Sequence, residues 1–429
     1  MPPRTLPEWL DWAERLHPRG IAMGLDRVRS VAKVLGTGFE CPVITVGGTN
    51  GKGSTCAMLE SILLAAGYKV ALHTSPHLLE FNERARFLGE SASDDELAEH
   101  MAAVEQARGD VELTYFEFTL LAILRWFQSH SPDVVILEVG LGGRLDAVNL
   151  IDADCSIVTC VDIDHIEYLG GTRDAIGWEK AHIFRTGRPA ICADPVPPST
   201  LIDYAREIGA DLRLFGRDFN YSGDRQQWSY GGRAVRRSSL AYPALRGANQ
   251  LLNASGVLAA LEALRDRLPV TQQAVRQGLA TVELPGRFQV LPGRPAVVLD
   301  VAHNPHAAAH LASNLDNMGF FTSTWAVFGA MRDKDLGGII GHLRDRVEHW
   351  LPVALPGARA AGTDELVLAL ESAGAGVSAQ RTVQPFSSPR EALVYALSQA
   401  EEGDRIVVFG SFLTVADVLA WRRTSGGTR

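Results

Sequence analysis

The sequence predicts an α/β fold, and three observations carry that prediction. Short apolar runs of strand length recur along the chain, helix-length amphipathic stretches separate them, and most runs end in Gly, Asn, Asp or His. Such runs suit parallel strands covered on both faces, with functional loops at their carboxyl ends. The strand-like runs span 43–46, 69–72, 134–139, 156–161, 297–301, 325–328 and 406–409. The helix-like stretches span 54–66, 94–106, 116–129, 250–264, 306–317 and 390–400. A length of 429 residues implies two or three domains. The turn-rich segment opened by Leu284-Pro285-Gly286-Arg287 marks the boundary, giving domains 1–290 and 296–429. The polar stretch 216–248 is expected to form β-hairpins on the edge of the first domain.

Composition narrows the class of function. Hydrophobic residues make up 46% and charged residues 21%, ordinary usage for a chain that buries cores. A net charge of −9 leaves no excess of Lys and Arg to neutralise a polyphosphate backbone, so nucleic acid is not expected as a partner, while small anions need only a local pocket. No apolar run reaches the ~18 residues of a membrane span. The opening amphipathic pattern of Trp9, Leu10, Trp12 and Leu16 reads as neither signal peptide nor anchor. The 5 cysteines lack CxxC spacing, and free thiols in a cytoplasmic protein are expected.

The segment Gly47-Gly48-Thr49-Asn50-Gly51-Lys52-Gly53-Ser54-Thr55 lies between a strand and a helix. There, glycines let backbone N–H groups face phosphate oxygens, the helix start adds partial positive charge, and Lys52 adds a full one. It reads as a nucleoside triphosphate site, although Val46 occupies the first glycine position of the usual motif and Gly53 separates Lys52 from Ser54. A triphosphate calls for Mg²⁺ and oxygen ligands. Glu138 closes an apolar run, where a metal would offset its burial; pairing with an arginine is the alternative. Asp162-Ile163-Asp164-His165 ends another run, and Ser75 precedes Pro76 after a third, so His165 and Ser75 are further candidate ligands. Lys180, flanked by Trp178, Ala181 and Ile183, is either a surface lysine or a desolvated amine able to take up CO₂. His303, His306 and His310 read as loop and helix-surface histidines rather than a zinc site.

The motifs GTNGKGST, TSPHL, TYFE, LEVGLGGRLDA, DIDH, WEKA, LPGRFQ, LDVAHNPHA and GSFLTVADV follow one another from residue 48 to residue 418. Together they resemble the folylpolyglutamate synthase and dihydrofolate synthase family, one of the ATP-dependent Mur-type ligases. The resemblance implies an amino-terminal P-loop ATPase domain like the Mur central domain and a smaller, Rossmann-like carboxyl-terminal glutamate ligase domain, closing on substrate. It implies amide formation in which a carboxylate attacks the γ-phosphate and L-glutamate captures the acyl phosphate, with dihydropteroate as acceptor and reduced folates as further acceptors.

By that resemblance Thr49, Asn50, Gly51, Lys52, Gly53 and Ser54 hold phosphates, and Ser75, Glu138 and His165 ligate Mg²⁺. Lys180 is carbamylated and helps hold a second Mg²⁺; Lys52, His165 and Lys180 form the catalytic set. Asn253, Arg287 and Asp300 match contacts to adenine, phosphate and ribose, and His303 serves nucleotide or glutamate. The pterin-bearing acid is held by Ala22, Met23 and Gly24, by Thr114, Tyr115, Phe116 and Glu117, and by Leu145, Asp146 and Ala147. Phe116 offers a flat apolar face and Asp146 an acceptor for pterin N–H groups. Ala22 stands where dihydropteroate-using relatives often carry an acidic residue, while the LDA turn and TYFE still point to dihydrofolate synthesis. The resemblance also implies a monomer. The rival readings are a peptide-precursor ligase of the Mur type, a nucleotide-driven switch or transport ATPase, and a kinase.

Overall fold

The computed structural model describes residues 3–18, 22–224, 226–247 and 249–424. The chain divides into two units, Met1–Ala244 with Gln250–Val282, and Leu245–Asn249 with Glu283–Arg429.

The first unit is built on an eight-stranded sheet: β1 (Val43–Gly47), β2 (Val70–His73), β3 (Ala85–Phe87), β4 (Glu90–Ser91), β5 (Val134–Glu138), β6 (Cys155–Val158), β7 (Pro189–Cys192) and β8 (Asp211–Leu214), in the order β4-β3-β2-β5-β1-β6-β7-β8. All pairings are parallel except those of β3 and β4. The uniformly apolar strands follow from helices on both faces: every residue of β1, β2, β5 and β6 is buried. Helix Lys52–Ala65 packs against helix Gln272–Thr281 so closely that a Cβ on Gly278 would lie 2.5 Å from Ile62 Cα, and Ser61 Oγ donates to Gly278 O at 2.8 Å.

The run 156–161 was expected to be one strand, yet β6 stops at Val158. The rest turns into a loop that the phosphate loop and Asp194 claim: Thr49 N donates to Cys160 O at 2.9 Å and Val161 N to Asp194 Oδ2 at 2.7 Å. The stretch after residue 216 forms a separate antiparallel sheet of β9 (Asn220–Gly223), β10 (Trp228–Gly231) and β11 (Arg236–Leu240), in the order β11-β10-β9.

The second unit holds β12 (Gln289–Leu291), β13 (Ala296–Leu299), β14 (Thr324–Phe328), β15 (His349–Pro352), β16 (Thr382–Val383) and β17 (Arg405–Phe409), in the order β12-β13-β17-β14-β15-β16. Only β12 is antiparallel. The longer segment of this unit starts at Glu283, and Gln289–Leu291 belongs to the second sheet through its pairing with β13. Among the described residues no helix is long and apolar enough to cross a membrane.

Candidate active site

The segment after β1 is held by the loop that follows β6. Thr49 Oγ1 donates to Asp162 O at 3.0 Å and accepts from Asp162 N at 2.9 Å. Thr159 Oγ1 donates to Asn50 O at 2.6 Å, and Asn50 N donates to Cys160 Sγ at 3.3 Å. Close approach leaves room only for glycine. Gly48 has φ +145°, and a Cβ there would lie 1.9 Å from Thr159 Oγ1; Gly51 has φ +85°, and its Cβ would lie 2.7 Å from Asn253 Oδ1. Gly51 caps helix Lys52–Ala65 without a side-chain bond, so the helix start keeps donors for an anion. Lys52 Nζ folds back onto Gly48 O at 3.1 Å and Thr49 O at 3.3 Å, which keeps its charge at the loop. Gly53 continues into that helix, and buried Ser54 accepts from Gln250 Nε2 at 3.4 Å, while Asn253 Nδ2 donates to Gln250 Oε1 at 3.1 Å. Asn253 therefore stands beside Gly51, and any contact it makes with nucleotide is made from the phosphate loop.

One strand position away, the ends of β2 and β5 meet. Their register pairs His73 with Leu137, which brings Ser75 N to Glu138 Oε2 at 3.2 Å. Glu138 is buried, and the Ser75 hydroxyl is buried with no hydrogen-bond partner among the described residues. A Cβ on Gly140 would lie 3.2 Å from the Phe116 ring, 3.4 Å from Asp146 Oδ2 and 3.4 Å from Ser75 Oγ, so these three groups converge on one glycine. Asp146 caps the 3₁₀ turn Ala147–Leu150, accepting from Val148 N at 2.9 Å and Leu141 N at 2.8 Å, and burial pushes its carboxyl up to about 6. Leu145 and Ala147 flank it in the same turn.

Lys180 is 4% exposed. Burial first, and the charge of Lys52 second, pull its amine down to about 7, so a large neutral fraction exists at neutral pH. His165 has φ 53°, starts the short helix Ile166–Leu169 and stands 4.0 Å from Asp164 Oδ2. Among the described residues no three His, Cys, Asp or Glu side chains gather as a metal cage. The Ser75 hydroxyl and the Glu138 carboxylate are oxygen donors, the ligand type that Mg²⁺ takes.

The three segments expected to hold the acid are joined, although not all by presenting free groups. Thr114 and Glu117 form the capping box of helix Tyr115–His130, with Thr114 N to Glu117 Oε2 at 2.8 Å and Thr114 Oγ1 to the same oxygen at 2.9 Å. Glu117 also accepts from Arg27 Nε at 2.8 Å, and Arg27 Nη2 donates to Ala22 O. Thr114 and Glu117 thus orient Phe116 and tie down the loop of Ala22, Met23 and Gly24. Tyr115 turns toward Phe81 and lies beneath the Arg84 guanidinium, 5.8 Å from the ring centroid. Arg27 carried no sequence signal, since its partner Glu117 lies 90 positions away, whereas the T-x-x-E spacing at 114–117 is a signal from which the capping box could have been read.

In the second unit, the loop after β13 gathers Arg287, Asp300 and His303 beside Phe412. Asp300 accepts from Phe288 N at 2.9 Å and Ala302 N at 2.8 Å, and burial raises its carboxyl to about 6 against the pull of Arg287. The Arg287 guanidinium lies 5.0 Å from the Phe412 ring centroid, and the His303 ring 6.0 Å from it. His303 Nδ1 donates to Val301 O at 2.8 Å. His306 and His310 pair with each other at 3.2 Å between Nε2 atoms.

Comparison with known proteins places the chain in a family. The Mur ligase middle domain matches residues 46–239, and the Mur ligase glutamate ligase domain matches residues 286–412. The dihydrofolate synthase/folylpolyglutamate synthase of Escherichia coli is 43% identical over 98% of this chain and 97% of its own. The solved E. coli FolC in complex with DHPP and ADP superposes with a TM-score of 0.93 at 41% identity, over 99% of this chain and 100% of that one. A bifunctional folylpolyglutamate synthase/dihydrofolate synthase with Mn, AMPPNP and L-glutamate bound gives a TM-score of 0.89 at 40% identity, over 98% of each chain. With sequence, domains and fold in agreement over nearly its whole length, the chain belongs to the dihydrofolate synthase/folylpolyglutamate synthase family of Mur ligases.

Proposed function

We propose that this chain joins L-glutamate to 7,8-dihydropteroate, giving dihydrofolate, and extends reduced folates with further glutamate, in each case at the expense of ATP. The observation that carries the reading is the convergence of Ser75, Phe116 and Asp146 on Gly140, one strand from a phosphate loop: an apolar ring and a pterin acceptor lie beside groups suited to a metal-bound triphosphate. Relatives solved with DHPP and ADP, and with Mn, AMPPNP and L-glutamate, support the same substrates here.

The acid's carboxylate oxygen attacks the γ-phosphorus, ADP leaves, and the glutamate amine attacks the resulting acyl carbon, expelling phosphate with one oxygen of the acid. The obstacle is an anion approaching an anion. Lys52 and the loop amides of Thr49, Asn50, Gly51, Gly53 and Ser54 bind the phosphates, with Asn253 beside them. Ser75, Glu138, His165 and a carbamylated Lys180 would hold two Mg²⁺ ions, which supply positive charge at the transferring group. The Ser75 hydroxyl, buried with no hydrogen-bond partner among the described residues, fits that use, since burial denies it water's compensation. Phe116 stacks on the acid's ring system, held by Thr114 and Glu117, with Tyr115 behind; Asp146, between Leu145 and Ala147, accepts from the pterin; Ala22, Met23 and Gly24 close its far side. The second unit is the glutamate ligase part, and its Arg287, Asp300 and His303 serve nucleotide and glutamate. The protein works as a cytoplasmic monomer on small molecules.

The test incubates pure protein with ATP, Mg²⁺, glutamate and either dihydropteroate or tetrahydrofolate, and follows ADP with product mass. Product one glutamate heavier than each acid is expected. ADP release that needs no acid would point to a switch or transport ATPase, a phosphorylated end product to a kinase, and turnover only with peptide precursors to the other Mur ligases.

A further inference from the structure

The turn that carries Leu145, Asp146 and Ala147 and the helix end that carries Lys180 lie in van der Waals contact. A Cβ on Gly143 would sit 2.7 Å from Glu179 O and 3.1 Å from Lys180 Cα, so nothing larger than glycine separates the two segments. Arg144, next in the chain, fastens them. Its N donates to Glu179 O at 3.0 Å, and its Nε and Nη2 both donate to Glu179 Oε1, at 3.0 and 2.9 Å. Its guanidinium covers the Trp178 ring at 4.9 Å from the centroid. The carbonyl of Arg144 accepts from Asn149 Nδ2 at 3.3 Å, and the same Asn149 nitrogen donates to His182 O at 3.2 Å. The Glu179 side chain is 11% exposed and that of Arg144 35%, so the ion pair is partly shielded from solvent. On the turn side, Asp146 N donates to Gly143 O at 3.3 Å, so a push on Asp146 reaches Gly143 and Arg144 directly.

We propose that Arg144 is a positioning residue that locks the turn 145–147 to the helix end 179–182, so that an acid seated at the turn also fixes Lys180 in place. This rests on the reading of the turn as the acid's seat. Arg144 reaches Lys180 through Glu179, by a planar fork and a stacked face that a lysine cannot copy. The consequence is ordered assembly: the groups that serve the phosphate are held firm when there is an acid to activate.

Hydrogen exchange on the whole protein, with dihydropteroate alone and neither nucleotide nor metal, tests it. In the wild type, exchange should slow at 143–150 and also at 179–184. In Arg144→Ala, slowing at 143–150 should persist while slowing at 179–184 falls by at least about threefold. Glu179→Met, which keeps the side chain's length and removes both oxygens, should do the same if the alanine variant folds poorly, and Arg144→Lys should recover only part of the effect. In turnover, kcat should fall more than KM for dihydropteroate rises. Wild-type protection confined to 143–150, or full protection at 179–184 in both variants, would overturn the coupling. No protection at 143–150 in the wild type would instead overturn the seat itself, and the coupling with it.

Discussion

At the carboxyl end of the first sheet several buried ionisable groups feel one another, Asp146 and Lys180 both within reach of Lys52, with Glu138 on the neighbouring strand. At the carboxyl end of the second sheet stands Asp300, with each oxygen already taken by a backbone N–H, as the oxygens of Asp146 also are. What sets the first edge apart is a buried hydroxyl, that of Ser75, with no hydrogen-bond partner among the described residues. The difference teaches where chemistry and where holding are done. A group that must meet developing charge keeps capacity unspent, whereas a group that grips a ligand of constant charge is braced beforehand.

The largest effect expected from breaking this contrast is at Glu138. Glu138→Ala should lower turnover by on the order of 10³-fold or more while thermal unfolding stays cooperative. Retained activity would remove Glu138 from the metal set. Next in size, Gly48→Ala forces a Cβ into Thr159 Oγ1 and strains a backbone at φ +145°, which should cost roughly 1–3 kcal/mol of stability and weaken ATP binding in titration calorimetry. Equal ATP affinity in that variant would contradict the tight loop packing.

Asp300 supplies a pH test of the braced edge. Its folded value of about 6 lies above the ordinary 3.8, so the native state holds the proton more tightly. Stability is therefore greatest below about 4 as far as this group is concerned, and falls as pH rises through 4 to 6, by on the order of 2–3 kcal/mol. Urea unfolding of the nucleotide-free protein should show that slope flattened in Asp300→Asn, and an unchanged slope would show that Asp300 is ionised at no cost. The smallest effect concerns Lys180. At fixed dissolved CO₂, carbamate formation followed by ¹³C NMR should rise with pH through about 7, as the neutral amine fraction rises, and should vanish in Lys180→Arg. A signal that persists in that variant would place the carbamate elsewhere.

Much of this was legible in the sequence because it is local. Apolar runs reported strands, and what followed them reported function: Thr49 to Ser54 after β1, Ser75 after β2, Glu138 at the end of β5 and Asp300 after β13 all fall at carboxyl ends, where an α/β sheet exposes its loops. The contacts that hold these groups were not legible. Thr159 grips Asn50 from 109 positions away, and Arg27 reaches Glu117 across 90, distances over which no periodicity speaks. Glu117 illustrates the other kind of miss. Its motif resembled a substrate contact, yet its carboxylate is used by the helix cap and Arg27, and only side-chain geometry separates binding from positioning. Residues 159–161 illustrate a third: an apolar run looks like a strand until a glycine loop competes for its backbone.

The central claim is that the first sheet's edge activates an organic acid by moving a phosphoryl group onto it. Dihydropteroate labelled with ¹⁸O in its carboxylate tests this most directly, with released phosphate read by mass spectrometry after turnover with ATP and glutamate. The account predicts labelled phosphate in step with product, because the oxygen that attacked the γ-phosphorus leaves with it. Unlabelled phosphate alongside authentic product would contradict it.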